Sequence, residues 1–164
     1  MKFGVSNLME RKKKRKMLSD DFETDKETDD LLFRFLSGTG KNYEGRYLYD
    51  IWEFAFSELE SYHDYIQWIF PLKEESLYNR TAPVIEDETK YQTKEIKDNM
   101  LRTLDVMLHF YGLRRCGNEI VKGDDFVKRK NCWVTKSNHN FLRITRILKS
   151  LKMFGFEKEA QMFF

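Results

Sequence analysis

Apolar residues recur at helical spacing along most of the chain. Ile96, Met100, Leu104, Met107, Leu108 and Tyr111 keep a 3.6-residue period over four turns, and Gly112 follows where a C-terminal cap belongs. The stretch "NHNFLRITRILKSLKMFG", residues 138–155, repeats the pattern. Phe141, Ile144, Ile147, Leu148, Leu151 and Phe154 line one side, Asn138 or Asn140 is placed to cap the start, and Gly155 closes it. Leu48, Ile51, Trp52 and Ala55 form another apolar face, which Leu59, Tyr62, Ile66 and Ile69 extend to Pro71. One straight helix of that length would be unusual, so a break is expected near Ser57 to Ser61.

Shorter elements flank these. Thr24 with Glu27 has the form of a capping box and predicts a short helix to Leu36, ended by Gly38 and Gly40. Asp124 or Asp125 is placed to cap a helix through "DFVKRKNCW". "FEKEAQMFF" predicts a last helix with Phe156, Ala160 and Phe163 inward. Residues 73–89 and 114–125 read as loops, the second with a short extended piece at "EIV". No hairpin or βαβ pattern stands out. Five to seven helices without an internal repeat predict an all-α fold. The expected organisation is a charged, flexible N-terminal arm over residues 1–41 and a compact helical domain over 42–164.

Composition supports a single packed domain. The 164 residues are 41% hydrophobic and 15% aromatic, enough for a sizeable core, and 34% are charged, enough to solvate a helical surface. The net charge of +2 is uninformative, but its distribution is not. Arg11, Lys12, Lys13, Lys14, Arg15 and Lys16 form an unbroken basic run, and residues 20–30 carry seven acids against one lysine. Two readings stand side by side: a solvated arm whose halves partly neutralise each other, or a nuclear-import or nucleic-acid-binding run. Cys116 and Cys132 have neither disulfide-framework nor metal-site spacing and read as reduced thiols. The start, "MKFGVSNLME", lacks the apolar stretch of a signal peptide, and no apolar run approaches the roughly 18 residues of a membrane span. A soluble, intracellular protein, nuclear or cytoplasmic, is expected, with its oligomeric state open.

Candidate chemistry is sparse. His63, His109 and His139 are the only histidines, and no metal, paired-carboxylate or phosphate-loop motif accompanies them. "GTGKN" at residues 38–42 lacks the frame of a phosphate loop. An enzyme, a metal and a cofactor are therefore not expected. Arg143, Arg146 and Lys149, spaced by three, form one stripe opposite Leu148 and Leu151. Such a stripe can neutralise phosphates or pair with carboxylates, but spacing alone equally describes, and favours, a solvated helix face. "HDYIQWIFPL" packs Tyr65, Trp68 and Phe70 into a short span. Aromatics this dense usually build a core, although a groove for an aromatic side chain would use the same residues.

The two stretches together resemble the opioid growth factor receptor conserved domain. His63, Tyr65, Ile66, Gln67, Trp68, Phe70, Pro71 and Leu72 fit its H-x-Y-I-Q-W-L-F-P-L block. His139, Asn140, Leu142, Arg143, Ile144, Thr145, Arg146, Ile147, Leu148, Lys149, Ser150 and Leu151 fit its H-N-x-L-R-I-T-R-I-L-K-S-L block, and "MLHFYGLR", residues 107–114, is similar to a third. Order and approximate spacing agree over about residues 42–164, while 116–125 departs from the pattern. The resemblance implies a helical, intracellular, nucleus-associated protein, from a family linked to the enkephalin pentapeptide and to restraint of proliferation. It also implies a use for the basic stripe beyond solvation, because the family pattern includes those residues. That use is either structural, a guanidinium holding helix carbonyls or a carboxylate such as Asp64 or Asp105, or direct binding. Gln67 and Thr145 are candidate internal hydrogen-bond partners in the first case. In the second, a short peptide or protein partner would set an aromatic anchor near Tyr65, Trp68 and Tyr111, with Gln67 nearby and Arg143, Arg146 or Lys149 on its carboxylate. Nucleic-acid association through Arg11 to Lys16 and the same stripe is the alternative.

Overall fold

The computed structural model describes residues 26–164, so Thr24 and the basic run Arg11 to Lys16 lie outside the described residues. A first helix, α1, spans residues 26–36. Three short helices follow: α2 (Leu48–Trp52), α3 (Phe56–Ser61) and α4 (Ile66–Ile69). A 3₁₀ turn at Glu88–Tyr91 leads into the long α5 (Lys94–Phe110). Strands β1 (Leu113–Cys116) and β2 (Glu119–Lys122) precede α6 (Phe126–Trp133), α7 (Asn140–Met153) and α8 (Glu157–Phe163).

Local chemistry explains most boundaries. The Thr93 hydroxyl accepts from the Ile96 N–H to start α5, and His109 lies in its last turn, where a cation suits the dipole. Gly112, at φ +77°, ends it in the left-handed conformation that glycine adopts at no steric cost. The sequence stretch 47–69 is not one helix broken near Ser57 to Ser61. That piece is itself helical, and the breaks fall on either side of it. The reason is capping: the Asp50 carboxylate accepts from the Tyr47 N–H and the Glu58 carboxylate from the Ala55 N–H, both at 2.7 Å. Each carboxylate sits at the third position of its helix and fixes a fresh start.

Two further expectations need correction. The fold is mostly helical rather than all-α, because β1 and β2 pair antiparallel, Leu113 opposite Lys122 and Cys116 opposite Glu119. Gly117, at φ +58°, and Asn118 make the two-residue turn between them. The packed body also begins earlier than residue 42. Leu32, Phe35 and Leu36 of α1 are at most 1% exposed and belong to the main core cluster. Asp29 on α1 is held by Lys90 and by the Tyr91 hydroxyl, which tie the helix down.

The core is centred on α5. Its Ile96, Met100, Leu104, Met107 and Leu108 join Ile147 and Leu151 of α7, Ala160 of α8 and the apolar side of α1 to α4. Trp68 lies edge-on to Phe35 and to Tyr43, with centroids 5.3 Å away in each case.

Candidate functional site

Helix α7 carries two kinds of side chain toward residues 59–78, and they do different work. Asn140, Arg143 and Ser150 are buried, and Arg146 is half-buried. The Arg143 guanidinium donates to the Leu59 carbonyl at 2.7 Å, the Tyr62 carbonyl at 2.8 Å and the Glu60 carbonyl at 3.3 Å. It therefore caps the carbonyl end of α3, where a cation also meets the negative end of the helix dipole. Arg146 Nε donates to the Phe70 carbonyl at 2.8 Å, and the Ser150 hydroxyl to the Pro71 carbonyl at 2.9 Å. The two family-like blocks of the sequence are thus laced together, side chains of the second on main-chain oxygens of the first. Asp64 and Asp105 are not part of this lacing, since they pair with Arg46 and Arg115. Thr145 bonds only the Phe141 carbonyl of its own helix.

A groove of about 460 Å³ runs alongside the laced region. Ile66, Gln67 and Leu72 lie on one side, Leu142, Arg146 and Lys149 of α7 on another, and the 74–78 segment supplies Leu77 and Tyr78. His63 and His139 stand at it with ring centroids 5.8 Å apart, and His139 Nε2 lies 3.1 Å from the Glu60 carboxylate. Leu77 is 87% exposed, Tyr78 78% and Leu142 57%, so large apolar side chains lie open to solvent beside it. A larger cavity of about 750 Å³ borders Lys73, Arg80 and Glu86. Its surface is mainly polar, and Lys73 is already paired with Glu88.

The electrostatics of the groove centre on Arg146. Apart from the Phe70 carbonyl, its guanidinium has no hydrogen-bond partner among the described residues. Burial pushes its pKa down to about 10, with Glu74 pulling the other way. Lys149 instead pairs with Glu74 at 3.2 Å on an exposed surface, a contact worth little by itself.

The residues singled out from the sequence therefore separate. Gln67, Arg143, Arg146 and Lys149 line the groove. Tyr65, Trp68 and Tyr111 are 0% exposed, do not line it and serve the core. The Tyr65 hydroxyl donates to the Leu59 carbonyl, and Tyr111 packs against Phe110, Trp133 and Phe163. An anchor pocket of aromatics is replaced by a groove with aliphatic and tyrosine edges. Ile66, Leu72, Leu77, Tyr78 and Leu142 were not singled out. Leu77-Tyr78 does carry a signal, two large apolar residues inside an otherwise polar loop. Within the basic stripe, Arg143 points into carbonyls and Lys149 is paired with an acid, while Arg146 has only the Phe70 carbonyl. Cys116 and Cys132 are exposed and unbridged. Among the described residues no group of three His, Cys, Asp or Glu is placed to hold a metal, and no helix is long and apolar enough to cross a membrane.

The fold is that of a small, mostly helical domain with a laced core and an amphipathic surface groove beside α7. The chain belongs to the opioid growth factor receptor family: the family model for the opioid growth factor receptor conserved region matches residues 37–163. It is 36% identical to mouse opioid growth factor receptor-like protein 1 over 122 residues, 70% of this chain and 26% of that protein. It is 38% identical to human opioid growth factor receptor over 111 residues, 65% of this chain and 16% of that protein. The chain thus spans about a quarter or less of these relatives' length. No solved structure matches it.

Proposed function

We propose that this chain is a non-catalytic, intracellular binding domain that holds a short peptide, of the enkephalin type, or a segment of a protein partner. The seat is the groove between α4, the 74–78 segment and α7. One observation carries the reading: Arg146 is a desolvated cation with no carboxylate bound to it, beside exposed Leu77, Tyr78 and Leu142. A half-buried charge of this kind gains from an external partner that brings an anion and apolar surface together. Lys149 adds positive charge at the same wall, and Ile66 and Leu72 offer apolar contact. The relatives' printed name, opioid growth factor receptor, supports a peptide ligand and a part in growth regulation.

The test is a fluorescence-anisotropy titration of the full chain against labelled Met-enkephalin, with a scrambled peptide as control. Saturable binding specific to the native order, lost in Leu142→Glu, is expected. Equal behaviour of the two peptides at high micromolar protein would refute the peptide reading. A protein segment would then be sought with the same groove variant as control.

A further inference from the structure

The groove contains a second polar group without the partners it needs. Gln67 is 5% exposed, its Oε1 is buried with no donor, and neither atom of its amide has a hydrogen bond among the described residues. The oxygen is closed off within the wall, whereas the nitrogen is not among the buried atoms, so its N–H is the group open to a partner from the groove. Its complement is a carbonyl oxygen, which a peptide group supplies. Arg146 stands close along the chain path, since its Nε is tied to the carbonyl of Phe70, the residue that caps α4, while Gln67 lies within α4. The N–H groups on both of its terminal nitrogens have no partner among the described residues, and Arg146 lines the groove.

Charge narrows the ligand further. Glu74 and Glu75 also border the groove, and Arg143 is engaged with carbonyls. A dianion such as a phosphate would meet those two acids, whereas a single carboxylate needs only the fork of one guanidinium. A monoanion, an adjacent peptide group and an apolar side chain occur together in one common chemical unit, the last residue of a peptide chain.

We infer that the groove reads a free peptide C-terminus. The terminal α-carboxylate sits on the Arg146 fork, the last peptide carbonyl on the Gln67 Nε2 N–H, and the terminal side chain against Ile66, Leu72 and Leu142. The inference rests on the groove reading above and adds to it which end of the ligand is read. An aspartate or glutamate inside a chain presents its carboxylate on a side chain, displaced from the backbone amide, and meets the two groups less well.

The experiment compares labelled Met-enkephalin as free acid and as C-terminal amide, titrated against the full chain. A third probe is the amide form with an internal aspartate. The free acid should bind roughly tenfold to a hundredfold tighter than its amide, the range of a charge-assisted pair. In Arg146→Gln the difference should fall to about twofold or less, with Arg146→Lys between, and Gln67→Ala should weaken acid and amide alike. Thermal unfolding of each variant separates loss of binding from loss of fold, since Arg146 also holds Phe70. Equal affinity for acid and amide, or an internal aspartate that restores full binding to the amide, overturns the C-terminus while the groove reading survives. Absence of binding by every form overturns the C-terminus inference and the peptide reading together, and leaves a protein segment as the groove's occupant.

Discussion

Replacing Arg143 with methionine tests whether a buried cation can be purely architectural. Arg143 is 5% exposed, has no carboxylate partner and donates to three carbonyls of α3 and the turn after it, one of which, that of Leu59, also accepts from the Tyr65 hydroxyl. Methionine keeps much of the stem that passes the Tyr65 ring, whose centroid lies 5.5 Å from the guanidinium carbon, and removes the donors. The two short bonds, at 2.7 and 2.8 Å, go to acceptors that water cannot readily replace. Leaving the Tyr62 carbonyl bare costs about 2 kcal/mol, the Leu59 carbonyl loses only about 1 kcal/mol because the Tyr65 hydroxyl still donates to it, and releasing a buried charge returns about 1 kcal/mol, so the net loss is about 2 kcal/mol. That is a sizeable share of the roughly 5–15 kcal/mol a domain possesses, and for this length it lowers the melting temperature by about 4–8 °C. Chemical denaturation followed by circular dichroism should show an earlier midpoint at unchanged slope. Arg143→Lys should lose about half as much, because one ammonium cannot span three carbonyls. A methionine variant within about 0.5 kcal/mol of the native chain would refute the capping role. A lysine variant equal to native would show that charge, not the fork, matters.

Other consequences follow from burial and backbone geometry. Burial raises the pKa of the Tyr65, Tyr91 and Tyr111 phenols well above 10, and for Tyr91 the bond to Asp29 adds to it. The unfolded chain releases these protons near pH 10 and the folded chain keeps them, so stability is intact below pH 10 and falls above it by about 1.4 kcal/mol per pH unit for each tyrosine. Tyrosinate absorbance should therefore rise together with loss of helix above pH 10, whereas independent titration of all eight tyrosines in a folded chain would contradict this. Gly112→Ala would place a Cβ 2.7 Å from the Phe126 Cα at a φ of +77°, and should lose about 3 kcal/mol or more in denaturant unfolding. Gly117→Asn, at φ +58° with nothing within 4 Å, should stay within about 1 kcal/mol of native. Ser150→Ala removes a fully buried donor from the Pro71 carbonyl and should cost about 1–2 kcal/mol, and a neutral result would mean that water takes its place.

The long helices were legible because burial on one side of a helix writes itself into a 3.6-residue repeat. The period from Ile96 to Tyr111 and the glycine at 112 appear in the structure as α5 and its left-handed end, and residues 138–155 as α7 with Gly155 at φ +82°. The breaks between α2, α3 and α4 were misplaced because an apolar period continues across them, and carboxylate caps at Asp50 and Glu58 decide the starts. The hairpin was missed because Arg114 and Arg115 blur the alternation of β1, although Gly117-Asn118 between two short runs is a turn signal. At the site, the basic stripe was visible, but the partner of each cation was not. Arg143 and Arg146 have the same side-chain chemistry and neighbouring positions on one helix. They differ in what residues 59–70, some 80 positions earlier, present to them.

What the sequence determined by itself was local: which segments are helical, which glycines end them, and membership of a family through two blocks in fixed order. These follow from short-range sterics, capping and the side-chain period, all of which act within a few residues. Only the tertiary structure decided that Tyr65, Trp68 and Tyr111 are core and that Gln67, Arg146 and Leu142 share a groove. Burial and hydrogen-bond satisfaction depend on which distant main-chain oxygens meet a side chain. Once Arg143 is spent on the end of α3, Arg146 is the cation that keeps unpartnered N–H groups among the described residues, and that difference is a property of how α7 crosses α4 and the segment after it.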